Sequence, residues 1–490
     1  MLFNSIDFLI FFPIVISIFF IIPKKWRCIW LLISSYYFYM SWNPKYALLI
    51  AGSTVVTYLS GLFIEHANSK GKQTSMKLYV LASLIINLGI LCLFKYANFF
   101  LSNLSLLFSH IGIGTIDKRF DFLLPVGISF YTFQALSYTI DVYRGQIKAE
   151  RNLFKYALFV SFFPQLVAGP IERSKNLLTQ IQNVENIQVW NFDRVRNGLL
   201  LMFWGLFQKL VIADRASLVV NKVINGYQNY GFIEISIAVI LFAFQIYCDF
   251  GGYTNIARGA AQVMGFSLMQ NFKQPYLARN IKEFWRRWHI SLTSWFTDYL
   301  YIPLGGNRNG TLRKYFNILI VFGVSGLWHG ASWNFVAWGL IHAFYLICED
   351  IKRTYQKNKN ISTENGCFSK RLREIVTTFI LVDFAWIFFV CKDITHAINV
   401  IKQMFSVIVV QSSFLKLGMD LVDWQIIFIS VVILYIVDII HEKGYSVFDI
   451  VSHQEIWFRW MLYLGLIWGI IMLGIYGVDY DISTFIYFQF

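Results

Sequence analysis

Apolar runs of about 20 residues recur along the whole chain, separated by short polar segments in which basic residues collect. A helix needs about that many apolar residues to cross the hydrocarbon of a bilayer, and backbone in lipid must satisfy its own hydrogen bonds. The pattern therefore predicts an all-α, polytopic integral membrane protein. The first run, residues 8–23, has no positive segment before it and Lys24-Lys25-Trp26-Arg27 behind it. A cleaved signal peptide has the reverse polarity, so this helix is expected to stay, with the N-terminus outside and the basic cluster in the cytoplasm. Lys70, Lys72 and Lys77 fall on the same side after two further helices. Continued to the end, the pattern gives about eleven spans, no internal repeat, and one membrane domain over residues 1–490.

Two successive apolar segments are broken. One carries Leu123-Leu124-Pro125-Val126-Gly127 ahead of Gln134 and Asp141; the other carries Phe163-Pro164-Gln165 and Ala168-Gly169-Pro170. Broken helices at membrane depth line protein or a water-filled cavity, and Gln134 and Asp141 should face the same surroundings. Residues 273–287, rich in Lys, Arg and aromatics, read as a helix lying in the membrane interface. Residues 349–374 read as a cytoplasmic loop. Asp249 and Asp383 sit in apolar runs where a charge is costly unless paired, and Asp438 with His441 one turn on could form one such pair.

Composition narrows the class further. Only 14% of the 490 residues are charged, against roughly 25% in ordinary soluble domains, while 57% are hydrophobic. The net charge of +14 would suggest nucleic acid in a soluble protein. Here it lies in inter-helix segments, which fits the positive-inside pattern and argues against nucleic-acid binding. Six scattered cysteines with no close pair indicate neither a disulfide framework nor a zinc cluster.

Chemistry concentrates in residues 284–345, which hold Phe284-Trp285-Arg286-Arg287-Trp288-His289, then Tyr301-Ile302-Pro303-Leu304-Gly305-Gly306-Asn307, then Leu327-Trp328-His329-Gly330. On a helix, Gly323, Gly326 and Gly330 form a small face that lets another helix or a ligand approach, and Ser325 and Gly326 would leave space beneath the His329 ring. A histidine so placed suits a general base acting on a hydroxyl; it equally suits a packing histidine hydrogen-bonded to a neighbour. A continuous helix would put His289 on one face with Trp285, Thr293 and Phe296, beside Arg286 and Arg287. An interfacial anchor is the alternative for it. No spacing here resembles a metal-binding H-E-x-x-H.

Taken together, these motifs, with Phe130-Tyr131-Thr132-Phe133-Gln134 and Asp249-Phe250-Gly251-Gly252-Tyr253, resemble those of the membrane-bound O-acyltransferase (MBOAT) family. The similarity runs in order over roughly residues 1–480. It is greatest to the bacterial branch that holds the membrane subunit of alginate O-acetylation, with peptidoglycan O-acetyltransferases and D-alanyl-transfer proteins related. The resemblance implies His329 as the catalytic histidine and His289 as the second functional one. Trp285, Arg286, Arg287, Trp328, Asn307, Gln134 and Asp249 become substrate- or donor-channel residues. It implies tilted helices around a thinned centre, no bound cofactor, and a thioester donor (acetyl-CoA or an acyl carrier protein) reached from the cytoplasm. The acyl group, acetyl by preference, would pass to a separate extracytoplasmic transferase of the SGNH type and on to a polysaccharide, in the cell (inner) membrane. D-alanyl transfer to a cell-wall polymer is the alternative within the family, and a secondary transporter or flippase the alternative outside it.

Overall fold

The computed structural model describes residues 1–116, 119–121, 124–167, 169–359, 367–406, 417–476 and 486, and among them all regular structure is helical. Leu123, Ala168 and residues 360–366 of the expected loop lie outside the described residues. Among the described residues six helices are long and apolar enough to cross a membrane: Pro44–Ser69, Gln73–Ile111, Phe192–Asn225, Phe232–Met264, Leu421–Glu442 and Ile456–Leu473. The apolar helix Ile6–Ile21 is shorter. This is fewer than the eleven that hydropathy suggests. Several of the expected spans are short helices in series, such as Leu153–Ser161 and Phe163–Leu166. Others, such as Trp333–Asn358, run into charged turns.

The chain packs as two compact units, Met1–Met202 with Ile256–Met269, and Phe203–Asn255 with Gln270–Phe490. In the first unit, helix Ala47–Ser69 packs against Gln73–Leu91 and Ile128–Tyr143. The Ile128–Tyr143 helix is buried along nearly all its length, and several of its polar residues have protein partners. Gln134 Nε2 and Gln165 Nε2 both donate to the Phe159 carbonyl, at 2.6 and 2.9 Å. This satisfies backbone freed where the helix breaks at Phe162. Asp141 accepts from the Ser174 hydroxyl at 3.1 Å. The break before Ile128 turns on Gly127, at φ +74°, where a β-carbon would collide with the Leu166 carbonyl. Glu172 is fully buried; it accepts from the Met269 N–H and from Asn176 Nδ2. Burial, only partly offset by these bonds, pushes its carboxyl up to about 7.

In the second unit, charge deep in an apolar helix is paired as physics demands, but by a residue the apolar pattern hides. Lys209, within the π-helical stretch Phe207–Ala213, places its ammonium 2.8 Å from Asp214 and 2.7 Å from Asp249. All three side chains are at most 5% exposed. Asp438 does not turn to His441; both its oxygens accept from the Tyr247 hydroxyl, at 3.2 and 3.1 Å. The expected interfacial helix over 273–287 is shorter than its composition suggests. Gln274 takes a left-handed conformation (φ +43°), and the helix proper, Ile281–Arg287, starts where Asn280 accepts from the Glu283 N–H.

Candidate active site

His289 does not lie in a continuous helix. Helix Ile281–Arg287 stops, His289 adopts φ +42°, ψ +54°, and helix Ile290–Phe296 begins directly after it. The left-handed region costs a β-carbon-bearing residue about 1–2 kcal/mol, and histidine is among the residues that visit it more often. The joint is held by the Ile290 N–H donating to the Asn271 carbonyl (2.9 Å). Its effect is to turn the imidazole away from the line of Trp285 and into the interior, where His289 is fully buried.

His329 is the last residue of helix Thr311–His329, which ends because Gly330 continues in an extended conformation. The glycine face read from the sequence admits a helix, not a ligand. A β-carbon at Gly326 would overlap the Phe335 carbonyl, and one at Gly339 the Phe322 carbonyl, so the backbones of Thr311–His329 and Trp333–Asn358 meet almost directly. Gly330 is covered by the Phe335 ring, and the space expected at Gly326 beneath the imidazole is filled by the Phe335 backbone. Ser325 instead faces a cavity.

These two irregular chain points, 40 positions apart, bring the histidines together. Their ring centroids lie 6.3 Å apart at 61°. Aromatic rings enclose them: Phe250 stands 4.8 Å from His289, and Trp338 and Phe389 stand 5.1 and 5.4 Å from His329. Trp328 bridges both, at 5.9 Å from His289 and 5.0 Å from His329. Behind this box the Trp285 indole N–H donates to His342 Nδ1 at 3.3 Å.

Two cavities are lined by residues close to His329 in the chain. One, of about 440 Å³, is lined by Trp285, Arg286, Asn307, Phe322 and Ser325, with Lys282, Lys314 and Arg353 adding positive charge beside Glu349 and Asp350. Lys314 pairs with Asp350 at 2.6 Å. Burial would raise the Asp350 carboxyl, but the Lys314 ammonium and the Tyr315 hydroxyl hold it below its usual range. The second, of about 420 Å³, is lined by Ser217, Asn221, Gln245, Gly330, Ser332, Phe335 and Lys392, among others. Ser325 in the first lining and Gly330 in the second stand four residues before and one after His329 in the chain.

The channel residues read from the sequence separate accordingly. Trp285, Arg286 and Asn307 line the first cavity, and Trp328 walls the histidine pair. Arg287 is committed elsewhere, to Glu283 and Glu442; the Glu442 hydrogen bond raises its already high pKa. Asp249 is held by Lys209, with its neighbour Phe250 against His289. Gln134 belongs to the first unit, its amide spent on Phe159. Trp338, Ser325, Gln245 and the Lys282–Lys314–Arg353 set were not legible as site residues, since only the fold draws them to one place.

The model of the membrane-bound O-acyltransferase family matches residues 146–365. A probable alginate O-acetylase (AlgI) of Pseudomonas putida is 36% identical over 407 residues, covering 83% of this chain and 80% of its own. A peptidoglycan O-acetyltransferase of Helicobacter pylori is 35% identical over 402 residues, 77% and 73% of the two chains. A teichoic acid D-alanyltransferase of Bacillus subtilis is more distant, 26% identical over 288 residues, 55% and 70% of the two. With a relative this similar aligned over most of both chains, and with both histidines brought into one enclosed site, the chain belongs to the membrane-bound O-acyltransferase family and is a multi-pass membrane O-acyltransferase.

Proposed function

We propose that the protein moves an acetyl group from a cytoplasmic thioester to an extracytoplasmic acceptor, for O-acetylation of a polysaccharide, with His329 as the base. The observation that carries this reading is the enclosure of His289 and His329 together by aromatic rings, with a cation-edged cavity lined by Ser325, four residues before His329. The basic residues Lys282, Arg286, Lys314 and Arg353 suit the phosphates of coenzyme A or of a carrier-bound pantetheine. In the transfer step the acceptor oxygen attacks the thioester carbonyl carbon, its proton passes to His329, the new C–O bond forms and the C–S bond breaks. The protonated imidazole then returns a proton to the leaving sulfur. His289, pressed against Trp328 and Phe250, holds the second wall of this centre.

The acetylation branch is favoured over D-alanyl transfer by the longer and closer match to the O-acetylating relatives. In this reading the N-terminus lies outside the inner membrane, short helices such as Ile128–Tyr143 supply crossings toward the eleven, and an SGNH-type transferase receives the acetyl group.

The test is the O-acetyl ester content of envelope and secreted polysaccharides in a strain lacking the protein, re-supplied with wild type, His329→Ala or His289→Ala. Loss of a general base costs about 10²–10⁴-fold, so His329→Ala should leave acetylation at the level of the null strain. Full restoration by His329→Ala present at normal amount would overturn the proposal.

A further inference from the structure

The second cavity contains one polar group that the fold leaves idle. Gln245, on helix Phe232–Met264, is 8% exposed and lines the cavity, and its carboxamide makes no hydrogen bond among the described residues. Its Oε1 is fully shielded from solvent and unpartnered. Leaving a carboxamide buried without partners costs about 1–3 kcal/mol, and an idle group of this kind calls for a reason.

Three features of its surroundings identify what would satisfy it. The cavity reaches Gly330, the residue that follows His329 in the chain. Among the described residues its lining holds no Asp or Glu, and its polar side chains are the neutral Ser217, Asn221, Gln245 and Ser332 with Lys392 as cation. Such a lining suits an uncharged alcohol and the oxyanion formed when that alcohol attacks a carbonyl. Phe242 and Phe335 make the rest of the wall apolar, so a hydroxyl entering would find few competing partners.

We infer that this cavity is the acceptor site and that Gln245 is the residue that orients the acceptor alcohol. The carboxamide N–H donates to a lone pair of the hydroxyl oxygen, which leaves the O–H hydrogen directed at His329. Gln245 forms and breaks no covalent bond; it fixes the angle from which the acceptor oxygen reaches the thioester carbon. The inference rests on the acetyl-transfer reading above and adds the acceptor side to it.

The discriminating substitution is Gln245→Met, which keeps length and removes every hydrogen bond, with Gln245→Glu as a second variant that keeps one acceptor oxygen. Two readouts are taken on full-length protein in membranes: O-acetyl ester per unit of protein, and midpoint of thermal unfolding. The expected result is that Gln245→Met lowers ester formation about 10- to 100-fold while its unfolding midpoint equals or exceeds that of wild type, because a group idle in the free protein has been replaced by an apolar one. Thiol release from acetyl-CoA with water as acceptor should fall less than ester formation. Gln245→Glu, which loses the N–H donor and sets a carboxylate beside the developing oxyanion, should lose transfer at least as fully as Gln245→Met. A lowered unfolding midpoint for Gln245→Met would assign the residue to packing and overturn the inference, as would ester formation equal to wild type. If wild type and His329→Ala form the same amount of ester, the acetyl-transfer reading itself fails, an outcome separate from either result at Gln245.

Discussion

Removing the Lys209 ammonium should be among the most damaging single changes in the second unit that leaves both histidines untouched. The side chain lies 2.8 Å from one Asp214 oxygen and 2.7 Å from one Asp249 oxygen, with every member of the trio almost fully shielded. At an effective dielectric of about 20, a contact at this distance is worth about 6 kcal/mol of attraction, most of it already offset by the cost of taking the ions out of water. Lys209→Met deletes the attraction and leaves the cost. Two carboxylates then share one apolar site, and the expected loss is the 3–5 kcal/mol seen when a buried pair loses one partner. The charge of the cluster goes from −1 to −2, and each neutralisation should recover part of the loss. Lys209→Met with Asp249→Asn returns it to −1, and Asp214→Asn added to these brings it to zero. Unfolding can be followed in detergent by reaction of a thiol-specific fluorophore, since Cys28, Cys248 and Cys391 are buried while Cys92, Cys348 and Cys367 are exposed. The slow, buried-thiol phase should appear at markedly lower temperature in Lys209→Met and move back stepwise in the double and triple variants. A Lys209→Met protein that releases its buried thiols at the wild-type temperature would refute the reasoning.

Other expectations follow from single contacts. Gly326→Ala places a methyl on the Phe335 backbone, which cannot rotate aside; it should cost about 1–3 kcal/mol and lower acetylation by displacing the helix that ends in His329, read from unfolding and ester content together. His289→Gly should be more stable than His289→Ala by about 1 kcal/mol, because only alanine carries a β-carbon into the left-handed conformation, while both should lose transfer. Arg286→Ala, at the cavity wall, should raise the KM for the thioester donor. Arg287→Ala, which loses Glu283 and Glu442, should lower stability instead. Glu172 has its carboxyl raised from 4.5 to about 7 in the folded state, so between these values the native form holds a proton that the unfolded form has lost. Stability of the first unit should therefore fall as pH rises through this window, and Glu172→Gln should flatten that slope in unfolding measured from pH 4.5 to 8.

The helices were legible because a bilayer demands length and apolarity that residue order alone reveals. The number of spans was not, because hydropathy runs smoothly through points where the backbone breaks. Pro164 announces a break near Phe162, but not that Leu153–Ser161 and Phe163–Leu166 are each this short. His289 is the sharper case. Helical periodicity placed it beside Trp285, and the turn that removes it from that face depends on Asn271, 18 positions earlier. Buried charge behaved likewise. Asp249 was marked as needing a partner, but Lys209 lies 40 positions away on another helix. The histidines stood out because polar rings are expensive in apolar runs. Gln245 did not, because what singles it out is the lack of a partner, a property only three dimensions disclose.

The near-contact of backbones between Thr311–His329 and Trp333–Asn358 also governs how the site can move. Ordinary helix pairs slide on a layer of side chains that can change rotamer and absorb small translations. At Gly326 and Gly339 that layer is absent, so the two helices must travel as one stiff blade. Adjustment around His329 then falls to ring reorientation rather than to sliding of one of these helices on the other. Acetyl transfer should in consequence respond to the bulk of Trp338 and Phe389, which face the His329 ring, far more than to the thickness of the surrounding bilayer.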